Sequence, residues 1–491
     1  MGFSSFLFGA LFLFVAQLLR TRYRQHLRSI PGPFVASFSN LWKLGAIYCE
    51  DMPEWNIKAH EKFGPVVRIG PNHISLSSRK ALQLVYTSRE SFSKTSFYEV
   101  GAPMHDGEPL ENMFSLRDVT RHSNLRRNIG GLYTRAAAKD LEPKMQSCIS
   151  VFLAEIARRI GSGQRELDMS VWLHFFAYDS LGEINVSKKL DFMEKGVDIN
   201  GLIEASSKLL KMVGYFTQAP ILHRVLGYMR SLVPAEEAEP MMKFTLDEAD
   251  TRLRSQPPQK DMMGKLLDLS TERPDKVVLR DVVGAVFINL TAGPDVLAIS
   301  LCSVWYYLSC HPEGQKKLQD EIATAHKQIS SAEVVSFSEV LKLPYLNAVI
   351  LESLRIHPGT GTILERQVPR TGATIDGHYI PGGTTVGINA WVLNRDPVFG
   401  PNTDQFRPER WLEATEEQQS EMNRCLFTFG AGTHTCIGKN IAMMIMSKVV
   451  YEFYLRYNTT LSNSLYERGW KVRGSWVTKQ TGVKLHISQL H

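Results

Sequence analysis

One short run near the C-terminus constrains this chain more than any other. Phe429-Gly430-Ala431-Gly432-Thr433-His434-Thr435-Cys436-Ile437-Gly438 is a glycine-rich loop that opens onto a long helical stretch. A loop of that kind aims backbone N–H groups and the positive end of a helix dipole towards a single sulfur. A thiolate needs such an electropositive, hydrogen-bonding setting to stay ionised at neutral pH. An ordinary buried cysteine is the commoner use of the residue, so other parts of the chain must decide between the two. Cys49, Cys148, Cys302, Cys310 and Cys425 form no C-x-x-C pair and no zinc-like spacing. In a chain of 491 residues that indicates a reducing compartment without a disulfide framework.

The N-terminus reads as a membrane anchor. Residues 3–19 are nearly all apolar, 17 positions that as a helix would span roughly 26 Å. Basic residues follow the apolar run, which puts the bulk of the chain on the cytoplasmic side of a single-pass span. A cleaved signal peptide would carry its charge first and a small-residue cleavage site after. Residues 1–29 are therefore read as anchor with basic flank, and 30–491 as one catalytic body. Ile30-Pro31-Gly32-Pro33 forms a stiff hinge between them. Residues 1–49 hold five basic side chains and no acid, against a formal net charge of +6 for the whole chain. The body is thus nearly neutral, which excludes nucleic acid as a partner class. Sequons begin at Asn185, Asn289 and Asn458 and are read as chance.

The body reads as mainly α with small β-sheets. Residues 64–86 look strand-rich, most of 117–357 has helical spacing, and strands and turns return over 363–390 and 470–488. Within the helical part, residues 279–308 form a long, mostly apolar stretch suited to burial. It contains Ala292-Gly293-Pro294-Asp295-Val296-Leu297. A mid-helix proline removes its own donor and displaces the carbonyl four residues back, that of Leu290. Thr291 precedes Ala292 and faces elsewhere on the helix. Further on, Glu352 and Arg355 stand three apart over the helical stretch 344–357 and can pair. Phe406-Arg407-Pro408-Glu409-Arg410-Trp411 follows, ahead of the cysteine loop. His122 and Arg126 stand four apart on a helix, and Arg366 lies in Leu364-Glu365-Arg366-Gln367-Val368.

The spacing F-x-x-G-x-x-x-C-x-G, together with the E-x-x-R helix, the P-x-R segment and A-G-x-D in their order, resembles the cytochrome P-450 family of microsomal type. The layout is similar to fungal members. The resemblance implies a mainly helical haem domain with Cys436 as the iron ligand in a loop formed by Phe429, Gly430, Gly432, His434 and Gly438. A thiolate at that position pushes electron density onto the iron. It implies a buried network of Glu352, Arg355 and Arg410 behind the loop, and His122, Arg126, Arg366 and His434 at the haem carboxylates. The two histidines replace the usual tryptophan and arginine. Ala292 and Gly293 are expected to leave room beside the iron, and Asp295 to carry protons. The family's threonine is absent, its place taken by Val296, and its locally opened helix is expected at Pro294. The implied cofactors are haem b and, through a membrane reductase, NADPH. The implied partners are NADPH–cytochrome P-450 reductase, membrane lipid and a lipophilic small molecule. The implied location is the endoplasmic reticulum membrane, and the implied chemistry O₂ + RH + 2e⁻ + 2H⁺ → ROH + H₂O, in secondary-metabolite biosynthesis. Val296 keeps open a reaction without net oxygen insertion, such as desaturation, coupling or rearrangement, and a non-catalytic haem or lipid carrier. The pocket is expected between 98–116, 287–297, 359–364 and 474–477.

Overall fold

The computed structural model describes residues 27–88, 92–218, 240–254, 259–328 and 335–490, with positions 16, 19 and 21–23 ahead of them. Most of the anchor expected over residues 1–29 lies outside these. The described residues are mainly helical with small sheets. Six helices position the site: α1 Val119–Ile129, α2 Met169–Val186, α3 Leu202–Phe216, α4 Leu279–Cys310, α5 Pro344–Ile356 and α6 Lys439–Tyr454.

Local chemistry sets where these helices begin. Asp118 caps α1 by accepting from the Arg121 N–H at 2.6 Å, and Asp168 caps α2 by accepting from Ser170. Asp281, in the first turn of α4, accepts the N–H of Val278. Such acceptors satisfy donors that a helix start leaves unpaired. Pro344 opens α5, where a missing N–H costs nothing.

α4 is the axis of the molecule. Its 32 residues run unbroken through Pro294, so the expected local opening is not formed. Pro294 removes one bond, the one to the Leu290 carbonyl, and the helix carries on because burial on both sides holds it. Among the described residues α4 is the one helix long and apolar enough to cross a membrane, yet 67% of its apolar window is buried inside the protein. It is a core helix. Trp305, fully buried, packs edge-on against Phe453 of α6 at 5.1 Å. Burying side chains of this size contributes about 1.5–3 kcal/mol each. α4 also lies against α2, and a Cβ on Gly293 would sit 2.5 Å from Leu181 Cδ1.

The main sheet combines distant parts of the chain. With β1 Val66–Gly70, β2 His73–Leu76, β3 Ser93–Lys94, β4 Leu364–Gln367 and β5 Thr385–Ile388, its order is β1-β2-β5-β4-β3. Only the β2–β5 pair is parallel. The stretch after β2 departs from the strand-rich expectation. Ser78 accepts from the Ala81 N–H and starts a helical turn at Arg79–Leu82, which continues as a π-turn over Gln83–Thr87. The expected C-terminal strands are present, including the hairpin of β6 Lys471–Gly474 and β7 Thr478–Thr481.

Candidate active site

The cysteine loop is shaped by two glycines in the left-handed region, Gly430 at φ 68° and Gly432 at φ 66°. Gly432 has a second reason to be glycine: a Cβ there would lie 1.8 Å from the Tyr86 carbonyl oxygen. The loop closes on itself. Gly430 donates to the Phe427 carbonyl at 2.9 Å, and Cys436 donates to the Phe429 carbonyl at 2.8 Å. Gly438 starts α6 beside the sulfur, and a Cβ there would sit 3.9 Å from Cys436 Sγ. Cys436 keeps open surface although protein crowds its thiol. Burial pushes that thiol up, and the Gly438 backbone, Arg126 and Lys439 pull it back without overcoming burial. A metal cation on the sulfur would reverse that balance, because coordination deprotonates a thiol outright.

Behind the loop lies the charge network. Arg355 grips Glu352 with two bonds of 2.8 Å, and Arg410 Nε donates to the same carboxylate at 2.8 Å. Trp411 Nε1 and the Arg407 N–H complete its shell at 2.9 and 3.0 Å. Burial would raise the carboxyl, but the two arginines outweigh it and hold Glu352 below its ordinary value. Asn394 connects this network to the loop. Its carbonyl accepts from the Phe427 N–H at 2.9 Å, its amide donates to Thr428 Oγ1 at 3.0 Å, and Arg355 donates to its backbone oxygen. Asn394 was not singled out from sequence.

In front of the loop the chain gathers basic groups. His434 Nδ1 meets His122 Nε2 at 3.2 Å, with ring centroids 4.2 Å apart. Lys94, which no sequence pattern marks, joins Arg366 because β3 and β4 set the two directly opposite. Arg366 donates to Tyr98 Oη at 2.6 Å, and Lys94 to the Met113 and Phe114 carbonyls. Burial, then Lys94, Arg126 and Arg366, bring His122 down to about 3. Burial, then Arg366, Lys94, His122 and Arg126, bring His434 down to about 2. Burial, then Arg366 and Arg126, lower Lys94 to about 7. Glu365 does not relieve this charge, since it accepts from Thr95 and faces His73. Like charges set opposite in a sheet are destabilising. A dianionic group with two carboxylates would neutralise the cluster, and a glycine-flanked thiol beside it could take that group's metal. The donor set fits a haem.

The cavity beside α4 has a volume of about 470 Å³ and mostly apolar walls. Val100–Met104, Phe114, the α4 face from Phe287 to Ala292, and Trp476 line it, as expected. The expected wall at 359–364 does not. Ile363 packs instead with Ala59, Val67 and Ile69, and Gly359 lies against Val296. The wall missed from sequence is α3, with Met241. Thr291 lines the cavity beside Ala292 rather than facing elsewhere, its hydroxyl donating to the Phe287 carbonyl at 2.8 Å. The room expected at Gly293 is filled by Leu181. Asp295 lies behind the cavity wall, where Ser206 and Tyr178 donate to Oδ2 at 2.5 and 3.3 Å. Val296 packs with Phe97, Tyr98, Ile299, Trp476 and Val477. Two sequon asparagines are occupied internally: Asn289 donates to Asn185 Oδ1 and Tyr133 Oη.

The sequence is similar to that of known proteins. The cytochrome P-450 family model matches residues 31–464. A cytochrome P-450 monooxygenase of Aspergillus terreus is 32% identical over 466 residues, covering 91% of this chain and 93% of that protein. Cytochrome P-450 monooxygenase pkfB of Emericella nidulans is 32% identical, covering 100% and 96%. Cytochrome P-450 monooxygenase asR2 of Sarocladium schorii is 30% identical, covering 97% and 95%. The similarity runs the length of these fungal enzymes, which removes the non-catalytic carrier from consideration. The chain belongs to the cytochrome P-450 family: it is a haem-thiolate oxidoreductase whose electrons arrive through a reductase.

Proposed function

We propose that the protein hydroxylates a lipophilic small molecule of secondary metabolism, with Cys436 as the iron ligand. Electrons come from NADPH through cytochrome P-450 reductase at the endoplasmic reticulum membrane. Residues 1–29 serve as the single-pass anchor and 30–491 as the cytoplasmic haem domain. The observation that carries this reading is the exposed residue Cys436 beside Arg126, Arg366 and Lys94, with which no carboxylate pairs among the described residues.

In this reading His122, Arg126, Arg366 and His434 hold the haem carboxylates, and Lys94 joins them. Phe429, Gly430, Gly432 and Gly438 shape the space around the sulfur. Glu352, Arg355 and Arg410 keep the loop rigid, because losing one partner of a buried charge network costs about 3–5 kcal/mol. When bound, the haem supplies dioxygen reduction and oxygen transfer. Ala292 presents a small wall to the cavity, and Gly293 lets α4 settle against α2. Asp295 acts one step back from the cavity, with Ser206 Oγ as the atom through which a proton would reach it.

A second reading has its own support. Val296 offers no hydroxyl, and the nearby Thr291 has its proton bonded to Phe287. A poorer proton relay favours chemistry without net oxygen insertion, such as desaturation or coupling, and product analysis under ¹⁸O₂ separates the two.

The test of both is a carbon-monoxide difference spectrum of the reduced protein. The red-shifted thiolate band is expected in the wild type and lost in Cys436→Ala. A wild type that binds haem without that band would falsify the assignment.

A further inference from the structure

Among the described residues, the side chains with an N–H or O–H that line the cavity are those of Tyr178, Ser206, Lys208, Thr291 and Trp476. All but the last have that group engaged. Ser206 Oγ and Tyr178 Oη donate to Asp295 Oδ2 at 2.5 and 3.3 Å, and Thr291 Oγ1 donates to the Phe287 carbonyl at 2.8 Å. The Lys208 ammonium stands in solvent, paired with Glu204 at 2.7 Å. The Trp476 indole N–H has no acceptor among the described residues. That is uncommon for its setting, because a buried indole N–H ordinarily finds a partner, and Trp476 is only 9% exposed. Trp305 is the contrasting case. Its Nε1 also lacks a partner, but the core closes that atom off completely, whereas Trp476 Nε1 keeps open surface.

The ring is also held still. It stacks on Phe97 at 4.7 Å, and Phe114 meets it edge-on at 5.7 Å. It stands in the turn between β6 and β7, where its own carbonyl accepts from the Gly361 N–H at 2.8 Å and the Thr478 N–H donates to the Gly359 carbonyl at 3.0 Å. Backbone and ring are therefore both fixed before a ligand arrives, and a hydrogen bond made here costs little further ordering. The other walls are mostly apolar. A pocket of that kind orients its ligand through the few polar groups placed in it.

We propose that Trp476 is a specificity-determining residue, and that its indole N–H selects, among lipophilic molecules, those carrying a carbonyl oxygen that accepts it. The proposal rests on the reading of this cavity as the substrate site. A carbonyl placed there exchanges its hydrogen bond to water for one to the indole. A hydrocarbon of the same shape displaces water and leaves the N–H unmade, which costs binding free energy. The substrate class that follows is the ketones and esters of apolar scaffolds rather than bare hydrocarbons.

The experiment titrates the haem-loaded full chain with 4-acetylbiphenyl and 4-isopropylbiphenyl, following the haem absorption shift. The two probes share a shape, and only the first offers an acceptor oxygen. Trp476→Phe keeps an aromatic ring against Phe97 and removes the N–H. It is expected to lower the ratio of ketone to hydrocarbon affinity about tenfold. An unchanged ratio, including an equal loss for both probes, makes Trp476 a wall only; it overturns donor selection and leaves the monooxygenase reading intact. Where the variant fails to fold, the wild type decides alone through the infrared nitrile stretch of bound 4-cyanobiphenyl. A hydrogen-bonded nitrile absorbs above its frequency in an apolar solvent, and an unmoved stretch overturns the proposal. Binding of none of these probes, in a preparation that shows the thiolate band, overturns this cavity as the substrate site. Absence of that band overturns the underlying reading instead.

Discussion

Gly430 and Gly432 share a left-handed conformation but differ in what surrounds them. An added Cβ at Gly430 meets Leu364 Cδ1 at an ordinary 3.6 Å, whereas at Gly432 it collides with the Tyr86 backbone. Gly430→Ala is thus expected to cost about 1–2 kcal/mol, the ordinary penalty of the left-handed region. Gly432→Ala adds a backbone collision to that penalty and is expected to cost at least about 3 kcal/mol. It should also lower the haem content of the purified protein. Denaturant unfolding and the haem-to-protein ratio check the ranking, and equal losses at the two positions would refute it. The glycine spacing was readable in sequence because it is local. Lys94 was not, because it reaches Arg366 only through the pairing of β3 with β4, and nothing around Ser93 and Lys94 names that partner.

At the scale of elements, Asn394 joins α5 to the cysteine loop. Asn394→Ala would leave the buried Phe427 N–H without its acceptor and Thr428 without its donor. The expected cost is about 2 kcal/mol, with a weakened thiolate band in a protein that still folds. Circular dichroism beside the carbon-monoxide spectrum distinguishes this from global unfolding. A band of full height would show that the loop is rigid without this link. The helices themselves were largely legible, since the helical spacing over 117–357 and the apolar run of α4 are written locally. Their faces were less so. The position of Asp295 on α4 could be counted from sequence, but not that α2 and α3 would meet it with Tyr178 and Ser206. Gly293 likewise reads as open space until Leu181 is seen to fill it. Pro294 reads as a break until the packing around α4 is known.

Across the whole molecule, the join between N-terminal segment and body is tighter than a hinge. The buried Arg68 guanidinium donates to the carbonyls of Thr21, Arg22 and Leu27, at 2.9, 3.0 and 3.4 Å, as well as to Pro71 at 2.7 Å. Removing residues 1–20 keeps all of these partners. Removing residues 1–29 strips three of them from a buried charge. The shorter truncation is expected to match the full chain in unfolding free energy. The longer one is expected to lose about 1–3 kcal/mol, and denaturant midpoints of the two side by side decide the matter.

The main sheet also sets an order of events during synthesis. β1 and β2 leave the ribosome early, but the strand that covers β2 comes from the last third of the chain. Asn72 waits for Gly383, 311 residues further on. At ordinary translation speeds of about 5–20 residues per second, that is roughly 15–60 s of exposed strand edge. An open edge is a template for pairing with other chains. The nascent protein therefore gains from anything that shields β2, such as a chaperone, and its yield in a foreign host is expected to follow that shielding more closely than the stability of the finished enzyme.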